Sequence, residues 1–160
     1  MLEKIVSGGQ TGVDRAALDV ALASGLEIGG WVPRGRLAED GRIPDRYPGL
    51  VETDSADPSV RTAWNVRDSD ATLILSHGPL AGGSRLAQRE AEQSGKPLLH
   101  LDLDCVSEAT AAARLRGWLA TVAPHTLNVA GPRASEDPGI AAATGTVLRA
   151  ALVPPRAQCR

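Results

Sequence analysis

The sequence predicts an α/β protein with a doubly wound, mainly parallel sheet and helices on both faces. Short β-branched or apolar runs alternate with segments of helical periodicity, an order typical of parallel strands joined by crossover helices. The run Ala71-Thr72-Leu73-Ile74-Leu75 is almost wholly apolar, as expected for a strand buried on both faces. A length of 160 residues fits one domain. We therefore expect a single Rossmann-like domain over residues 1–153 and a C-terminal tail over residues 154–160.

The first half of the chain predicts two strands on either side of a helix, followed by a long loop. Ile5-Val6 is a short β-branched strand, and apolar residues then recur at helical spacing from Val13 to Ala21. Leu26 to Val32 resembles a second strand. The segment from Pro33 to Ser59 is rich in Pro, Gly and charge, so we predict an ordered surface loop with one short strand near residues 50–52.

The second half continues the alternation of strands and helices. Gly95-Lys96-Pro97 is a helix end signal, and Asp137 with Pro138 is a helix start signal with Asp137 as the N-cap. Pro154-Pro155 cannot extend the last helix and indicates a frayed tail. The predicted elements are helices over residues 60–67, 83–94, 107–122 and 138–152 and strands over residues 71–75, 98–103 and 126–130.

Charge and hydropathy exclude several classes of partner. The formal net charge is −2, the pI is about 5.9 and no Lys/Arg cluster occurs, so we do not expect a nucleic acid partner. The N-terminus lacks a signal-peptide pattern and no apolar run approaches membrane-spanning length, so we expect a cytoplasmic protein without a membrane partner. Cys105 and Cys159 have no metal-ligand neighbours, which favours reduced thiols.

Three Gly-rich loops follow predicted strands and lead into helices, at residues 7–12, 78–84 and 131–135. Glycine permits close backbone approach, and a helix N-terminus presents unpaired N–H groups, so these loops suit an anion such as phosphate. Each loop alone could be tight-turn geometry, and the first matches neither the P-loop nor the dinucleotide fingerprint. The candidate ligand-binding residues of these loops are Gly8, Gly9, Gln10, Thr11, Gly12, Gly82, Gly83, Ser84 and Gly131.

Polar side chains outside the glycines add further candidates. Arg34, Arg36 and Arg133 lie in predicted loops and could bind phosphate bidentately, although an exposed arginine is equally common. Arg61 and Asn65 share one face of a predicted helix, which is either a ligand-facing stripe or a solvated face. Thr11 and Asp14 fit a capping box, with ligand contact as the alternative for Asp14.

The sequence shows no catalytic constellation and no metal-ligand spacing. His77, His100 and His125 are isolated, and we interpret them as structural histidines. Asp102 and Asp104 end a predicted strand and could face the ligand crevice, but strand-end turn residues are equally common. We therefore predict no catalytic residue and no metal ligand.

Several long motifs resemble the family of molybdenum cofactor carrier proteins. They are residues 7–19 (SGGQTGVDRAALD), 30–36 (GWVPRGR), 38–41 (AEDG), 82–84 (GGS) and 127–135 (LNVAGPRAS), and the resemblance covers about residues 4–152. This family resembles a circularly permuted branch of a Rossmann-like superfamily that includes the lysine-decarboxylase-like phosphoribohydrolases.

The resemblance implies a homo-oligomeric carrier, a dimer or tetramer, that binds molybdenum cofactor (molybdopterin), a phosphate-bearing pterin with a dithiolene-held metal. It also brings Asn128 into the candidate site. The related hydrolases carry a catalytic Glu in a P-G-G-x-G-T-x-x-E motif, and Ala87 stands at its aligned position here, with Glu90 one turn further along. A phosphoribohydrolase or a sensor of nucleotide derivatives is the alternative function.

Overall fold

The computed structural model describes residues 1–153 and confirms the predicted α/β fold. Six strands form one sheet in the order β5-β2-β1-β8-β6-β7, and every pairing is parallel. Its strands are β1 (Lys4–Val6), β2 (Glu27–Val32), β5 (Leu50–Glu52), β6 (Ala71–Ser76), β7 (Leu98–Asp102) and β8 (Thr126–Ala130), while β3 (Leu37–Ala38) and β4 (Gly41–Arg42) form a separate hairpin.

Helices cover both faces of this sheet, as predicted for a doubly wound fold. They are α1 (Val13–Ala23), α2 (Pro58–Arg67), α3 (Gly82–Ser94), α4 (Glu108–Val122) and α5 (Ile140–Leu152). Helix α5 packs against both α1 and α4 over the larger core cluster, whereas α2 and α3 pack together over the smaller one. None of the helices within residues 1–153 is long and apolar enough to cross a membrane.

The apolar run at residues 71–75 behaves as its composition predicts. All six residues of β6 are buried, because the strand lies between β8 and β7 and has helices on both sides. Gly95 ends α3 in the left-handed conformation with a φ of 70°, which confirms the predicted helix end. The predicted tail, with Cys159, lies outside the described residues, and the domain boundary at residue 153 stays a prediction.

The predicted start of the last helix is wrong. Helix α5 begins at Ile140 with Gly139 as its N-cap, not at Pro138 with Asp137 as N-cap. The Asp137 carboxylate has two other partners: it accepts the Gly139 N–H at 3.0 Å and bonds His77 Nδ1 at 2.6 Å. A local side-chain turn therefore precedes the helix instead of a cap on it.

The long segment after Val32 has more structure than its composition indicates. The predicted strand near residues 50–52 is present as β5, but the β3–β4 hairpin was not predicted. Helix α2 begins at Pro58, two residues before the predicted start, because Asp57 caps it by accepting the Ser59 N–H at 2.9 Å. The turn of this hairpin reaches the first Gly-rich loop, where Glu39 accepts a hydrogen bond from the Thr11 hydroxyl.

Candidate functional site

A pocket of about 280 Å³ lies at the carboxyl ends of β1 and β8, beside α2 and the start of α3. This volume is just below the usual range for small-molecule sites, and the carboxyl edge of a parallel sheet is the usual place for one. The pocket brings together most of the residues that the sequence singled out: Gly8, Gln10, Arg61, Asn65, Gly82, Gly83, Ser84, Asn128, Gly131 and Arg133.

Two glycines of the first loop do not line this pocket and serve packing instead. A Cβ on Gly9, whose φ is +70°, would lie 2.9 Å from Ile43 Cδ1. A Cβ on Gly12 would lie 2.3 Å from the carbonyl oxygen of Pro132. Gly9 therefore admits the segment that follows the hairpin, and Gly12 permits the first and third Gly-rich loops to touch.

Arg34 and Arg36 also lie away from the pocket. Arg34 Nη1 donates to the carbonyl of Asp54 at 3.0 Å. Arg36 donates from Nε to Ile43 O at 3.2 Å and from Nη2 to Pro44 O at 2.9 Å. Both guanidinium groups hold the backbone of the segment between β2 and α2, so the structure does not place them as phosphate ligands.

The predicted capping box at Thr11 and Asp14 is wrong. Gly12 is the N-cap of α1, and no side chain caps this helix. The Thr11 hydroxyl donates to Glu39 at the hairpin turn and accepts the Ala134 N–H at 3.1 Å. Thr11 therefore joins three segments and does not cap α1, and this leaves Asp14 available to the pocket.

Arg61 is the most buried cation of the site. It extends from α2, is 8% exposed, and donates from Nη1 to Gly8 O at 2.6 Å and from Nε to Thr62 Oγ1 at 3.3 Å. Burial lowers the pKa of Arg61, the charge of Asp14 raises it, and the charge of Arg133 lowers it again. Nη2 of Arg61 has no hydrogen-bond partner among residues 1–153, so this group is available to a ligand in the pocket.

Asp14 is the acidic counterpart of Arg61. Asp14 lines the pocket and is 8% exposed, and its carboxylate accepts the Gln10 N–H at 3.2 Å. Burial raises the pKa of Asp14 to about 6, while Arg61, the Gln10 and Gly8 amides and Arg15 oppose that rise. Sequence reasoning left Asp14 undecided between cap and ligand contact, and its burial at the pocket supports the second interpretation.

The start of α3 presents an uncapped helix N-terminus to the pocket. Its N-cap is Ala81, which offers no side-chain acceptor, and its first turn holds no acidic residue. A Cβ on Gly82 or Gly83 would meet nothing within 4 Å, so both backbones border open space. Ser84 is 4% exposed, and its hydroxyl has no hydrogen-bond partner in the described part of the chain. This arrangement suits an anion.

The two asparagines of the pocket differ in the hydrogen-bonding capacity that they leave for a ligand. Asn65 accepts the Trp31 N–H at 2.7 Å and donates to Trp31 O at 3.0 Å, so it joins α2 to β2. Asn128, in the middle of β8, is 3% exposed and donates to Thr72 Oγ1 over a long 3.4 Å. Asn65 is therefore mainly structural, while Asn128 retains hydrogen-bonding capacity at the pocket.

The last loop supplies a more exposed charged pair. Arg133 donates from Nε to Glu136 Oε1 at 2.8 Å, with about 45% of the arginine side chain exposed. Both residues line the pocket. Sequence reasoning did not select Glu136, although its spacing of three residues from Arg133 is the signal that could have indicated it.

The chain is similar to known proteins over almost its whole length. The sequence matches the model of the circularly permutated YpsA SLOG family over residues 5–152. The chain belongs to this family. A crystal structure of a "putative molybdenum carrier protein" from Syntrophus aciditrophicus SB is similar, with 52% sequence identity and a TM-score of 0.92 over 95% of this chain and 96% of that chain. No curated protein matches the sequence. The resemblance stated from the motifs is thus confirmed.

Ala87 stands at the position that the motif resemblance assigns to the catalytic Glu of the hydrolases. Ala87 lines the pocket and is fully buried, whereas Glu90 is not among the lining residues. The histidines lie elsewhere and bond other groups: His77 bonds Asp137 at 2.6 Å and His100 bonds Ser76 at 2.7 Å. Residues 1–153 hold no group of three His, Cys, Asp or Glu side chains arranged to bind a metal.

Proposed function

We propose that this SLOG-family protein binds and carries molybdenum cofactor, or a closely related phosphate-bearing pterin or nucleotide, with the phosphate in the pocket beside Arg61. The observation that carries the proposal is the buried Arg61 guanidinium, which has an unused Nη2 group at a pocket. A guanidinium fork binds phosphate oxygens with charge-assisted hydrogen bonds. Such a group is seldom buried without a ligand or an ion-pair partner.

The charges around the pocket favour an anion between the two arginines. The charge of Arg133 disfavours the charged form of Arg61, so two cations share this site at close range. An anion placed between them removes that repulsion and gains attraction from both. Arg133 is the more exposed of the two and keeps its own partner in Glu136, so we assign it the weaker role.

The N-terminus of α3 adds neutral donors to these cations. The first N–H groups of a helix have no partner within the helix, and the helix dipole favours negative charge there. Gly82 and Gly83 leave the backbone accessible, and the Ser84 hydroxyl offers a further donor within the buried part of the pocket. A phosphate at this position would receive bonds from backbone, hydroxyl and guanidinium together.

The name of the related Syntrophus protein supports the choice of cargo. That protein is named as a molybdenum carrier and shares 52% of its residues with this chain. Molybdopterin holds its metal through its own dithiolene, so a carrier needs to recognise only the pterin and the phosphate. A pocket that combines polar donors with apolar side chains such as Leu86 and Val129 fits that requirement.

We further propose that the protein is a cytoplasmic homo-oligomer, a dimer or tetramer. Leu37 on the hairpin and Val51 on the edge strand β5 are 50% and 52% exposed. An edge strand with exposed apolar side chains is a common site of self-association. Light scattering coupled to size exclusion will test this assembly, and a monomer mass at micromolar concentration would contradict it.

The direct test of the carried ligand is mass spectrometry of the purified protein. Protein purified in phosphate-free buffers should retain a phosphorylated pterin or nucleotide. The ligand should appear as an added mass under native conditions, and its identity follows from its own mass after denaturation. The Arg61→Gln variant, purified in parallel, should retain much less of it. Retention of an unphosphorylated compound, or equal retention by the variant, would contradict the proposed function.

A further inference from the structure

The pocket contains a second polar feature that a phosphate alone does not explain. Asp14 lines it as a buried carboxylate, and a carboxylate next to a bound phosphate repels it. We propose that Asp14 is a second recognition group of the pocket, which accepts hydrogen bonds from O–H or N–H donors on the part of the ligand attached to the phosphate. This inference rests on the proposed function, because it requires that a phosphate occupies the same pocket.

The local structure fixes Asp14 for such a role. Asp14 is in the first turn of α1, and its main-chain carbonyl accepts the Ser7 hydroxyl at 3.1 Å while its Oδ2 accepts the Gln10 N–H at 3.2 Å. Ser7 is fully buried, so this end of α1 is held firmly against the first Gly-rich loop. The carboxylate is therefore preorganised before a ligand arrives.

Part of the acceptor capacity of this carboxylate is unused. An ionised carboxylate can accept about four hydrogen bonds. Within residues 1–153 the Asp14 side chain accepts the Gln10 N–H at 3.2 Å, and the Gly8 amide is a second donor that favours its charged form. Arg61 attracts Asp14 electrostatically but forms no salt bridge with it, since its Nη1 is directed to Gly8 O. Asp14 is one of the residues that line the pocket, so a ligand there can approach its side chain.

The energetic cost of burying Asp14 also favours a ligand contact for its side chain. Burying a carboxylate without a paired cation or several hydrogen bonds is unfavourable, and a buried residue of this kind is typical of a functional site. The balance around Asp14 is dominated by burial, which supports this inference. A ligand donor would supply the missing hydrogen bonds.

The chemical class of the ligand follows from the two kinds of group in one pocket. Arg61, Ser84 and the start of α3 suit the phosphate, and Asp14 suits a neighbouring sugar hydroxyl or an amino N–H on a heterocycle. The ligand is therefore a phosphomonoester with hydrogen-bond donors on its adjoining carbons or ring. A sugar hydroxyl and the amino group of a heterocycle offer the same chemistry to Asp14, and the experiment below separates them.

The test uses the opposite signs of two effects in the Asp14→Asn variant. Removal of a negative charge strengthens the binding of any anion, whereas loss of a charged hydrogen-bond acceptor weakens a ligand that donates to it. We therefore expect inorganic phosphate to bind Asp14→Asn as tightly as the wild type or tighter. Ribose 5-phosphate or GMP should bind it about tenfold to a hundredfold more weakly.

Calorimetric titration of the full chain measures these affinities, with Glu108→Gln as a control because Glu108 is an exposed carboxylate on α4 outside the pocket. If the wild type binds 2-deoxyribose 5-phosphate more weakly than ribose 5-phosphate, a sugar hydroxyl is the donor. If the wild type binds IMP more weakly than GMP, the amino N–H is the donor. Either difference should disappear in Asp14→Asn.

Two results overturn the inference. If Asp14→Asn binds every phosphorylated probe as tightly as the wild type or tighter, Asp14 contributes only its charge. If the wild type binds both members of each probe pair equally tightly, neither the sugar hydroxyl nor the amino group donates to Asp14. Failure of the wild type to bind inorganic phosphate or any ester would instead contradict the proposed function itself.

Discussion

The Asp14 carboxylate and the Arg61 guanidinium line the same pocket, each more than nine-tenths buried, yet they form no salt bridge. Arg61 instead donates to Gly8 O, and Asp14 accepts from the Gln10 amide. Opposite charges kept apart in a buried site leave both able to bind a third group. The proposed roles of Asp14 and Arg61 both depend on this separation.

The Asp14→Asn substitution should stabilise the protein at alkaline pH. Burial raises the pKa of Asp14 from 3.8 to about 6, so the folded state holds this proton more tightly than the unfolded state. The stability due to this proton is fully present below about pH 4 and is lost as the pH rises through about 6. Asparagine resembles the protonated form and should unfold at a higher temperature than the wild type at pH 8.

Thermal unfolding of both proteins between about pH 4 and pH 8 measures this difference, which should vanish at the acidic end. The charges of Arg61 and Arg15 oppose the rise in the pKa of Asp14, and burial outweighs them. Glu108→Gln is again the control. A variant less stable than the wild type at pH 8 would show that the Asp14 charge stabilises the fold.

The Gly8→Ala substitution should weaken phosphate binding by displacing Arg61. A Cβ at position 8 would lie 2.5 Å from Arg61 Nη1, so the guanidinium must move away from Gly8 O. We expect a tenfold or larger loss of affinity for inorganic phosphate by calorimetry, with a cooperative unfolding transition retained. Gly117→Ala, on α4 with nothing within 4 Å, is the matched control. Unchanged phosphate affinity in Gly8→Ala would argue against a role for Arg61.

Glu39 should hold the hairpin turn against the site loops. Its carboxylate accepts from the hydroxyls of Thr11 and Ser135 and from the Ser135 N–H at 3.1 Å, and these bonds lower the pKa of Glu39. Glu39→Gln should increase amide hydrogen exchange across residues 37–42 with little change in the global melting temperature, since Glu39 is exposed. Acidification should have the same effect in the wild type, because protonation weakens these bonds. Unchanged exchange in the variant would show that the bonds do not hold the hairpin.

The absence of an acid at position 87 predicts that the protein does not release bases from nucleoside monophosphates. Ala87 occupies the position that the resemblance assigns to the catalytic Glu, and Glu90 does not line the pocket. Incubation with the common nucleoside monophosphates, followed by chromatography, should show base at the level of a protein-free control. Release that is abolished in Glu90→Ala would establish the hydrolase alternative.

Sequence patterns predicted the fold better than the loops. The buried run in β6 and the Gly95 helix end depend on neighbours in sequence, so composition indicates them directly. The β3–β4 hairpin has strands of only two residues each, too short for any alternation to be visible. Arg34 and Arg36 were predicted as phosphate ligands because they lie in a loop, but distant backbone carbonyls occupy them.

The glycines of the site show a similar limit. Sequence reasoning grouped Gly8, Gly9 and Gly12 as one phosphate loop, whereas only Gly8 lines the pocket. The other two permit close contact with residues far along the chain, such as Ile43 and Pro132. Three-dimensional contacts of this kind leave no signal at the glycine itself, and the same holds for the burial that makes Asp14 distinctive.

The central claim is that Arg61 binds the phosphate of the ligand. Its most direct test is calorimetric titration of wild type, Arg61→Gln and Arg61→Lys with a phosphorylated pterin and its dephosphorylated form, with Arg34→Gln as a control outside the pocket. A charged hydrogen bond contributes about 1.5–3 kcal/mol, so the wild type should prefer the phosphorylated pterin by about tenfold to a hundredfold. Arg61→Gln should lose this preference and Arg61→Lys should keep part of it. Equal affinity of the wild type for both pterins, or an equal loss for both in Arg61→Gln, would contradict the account.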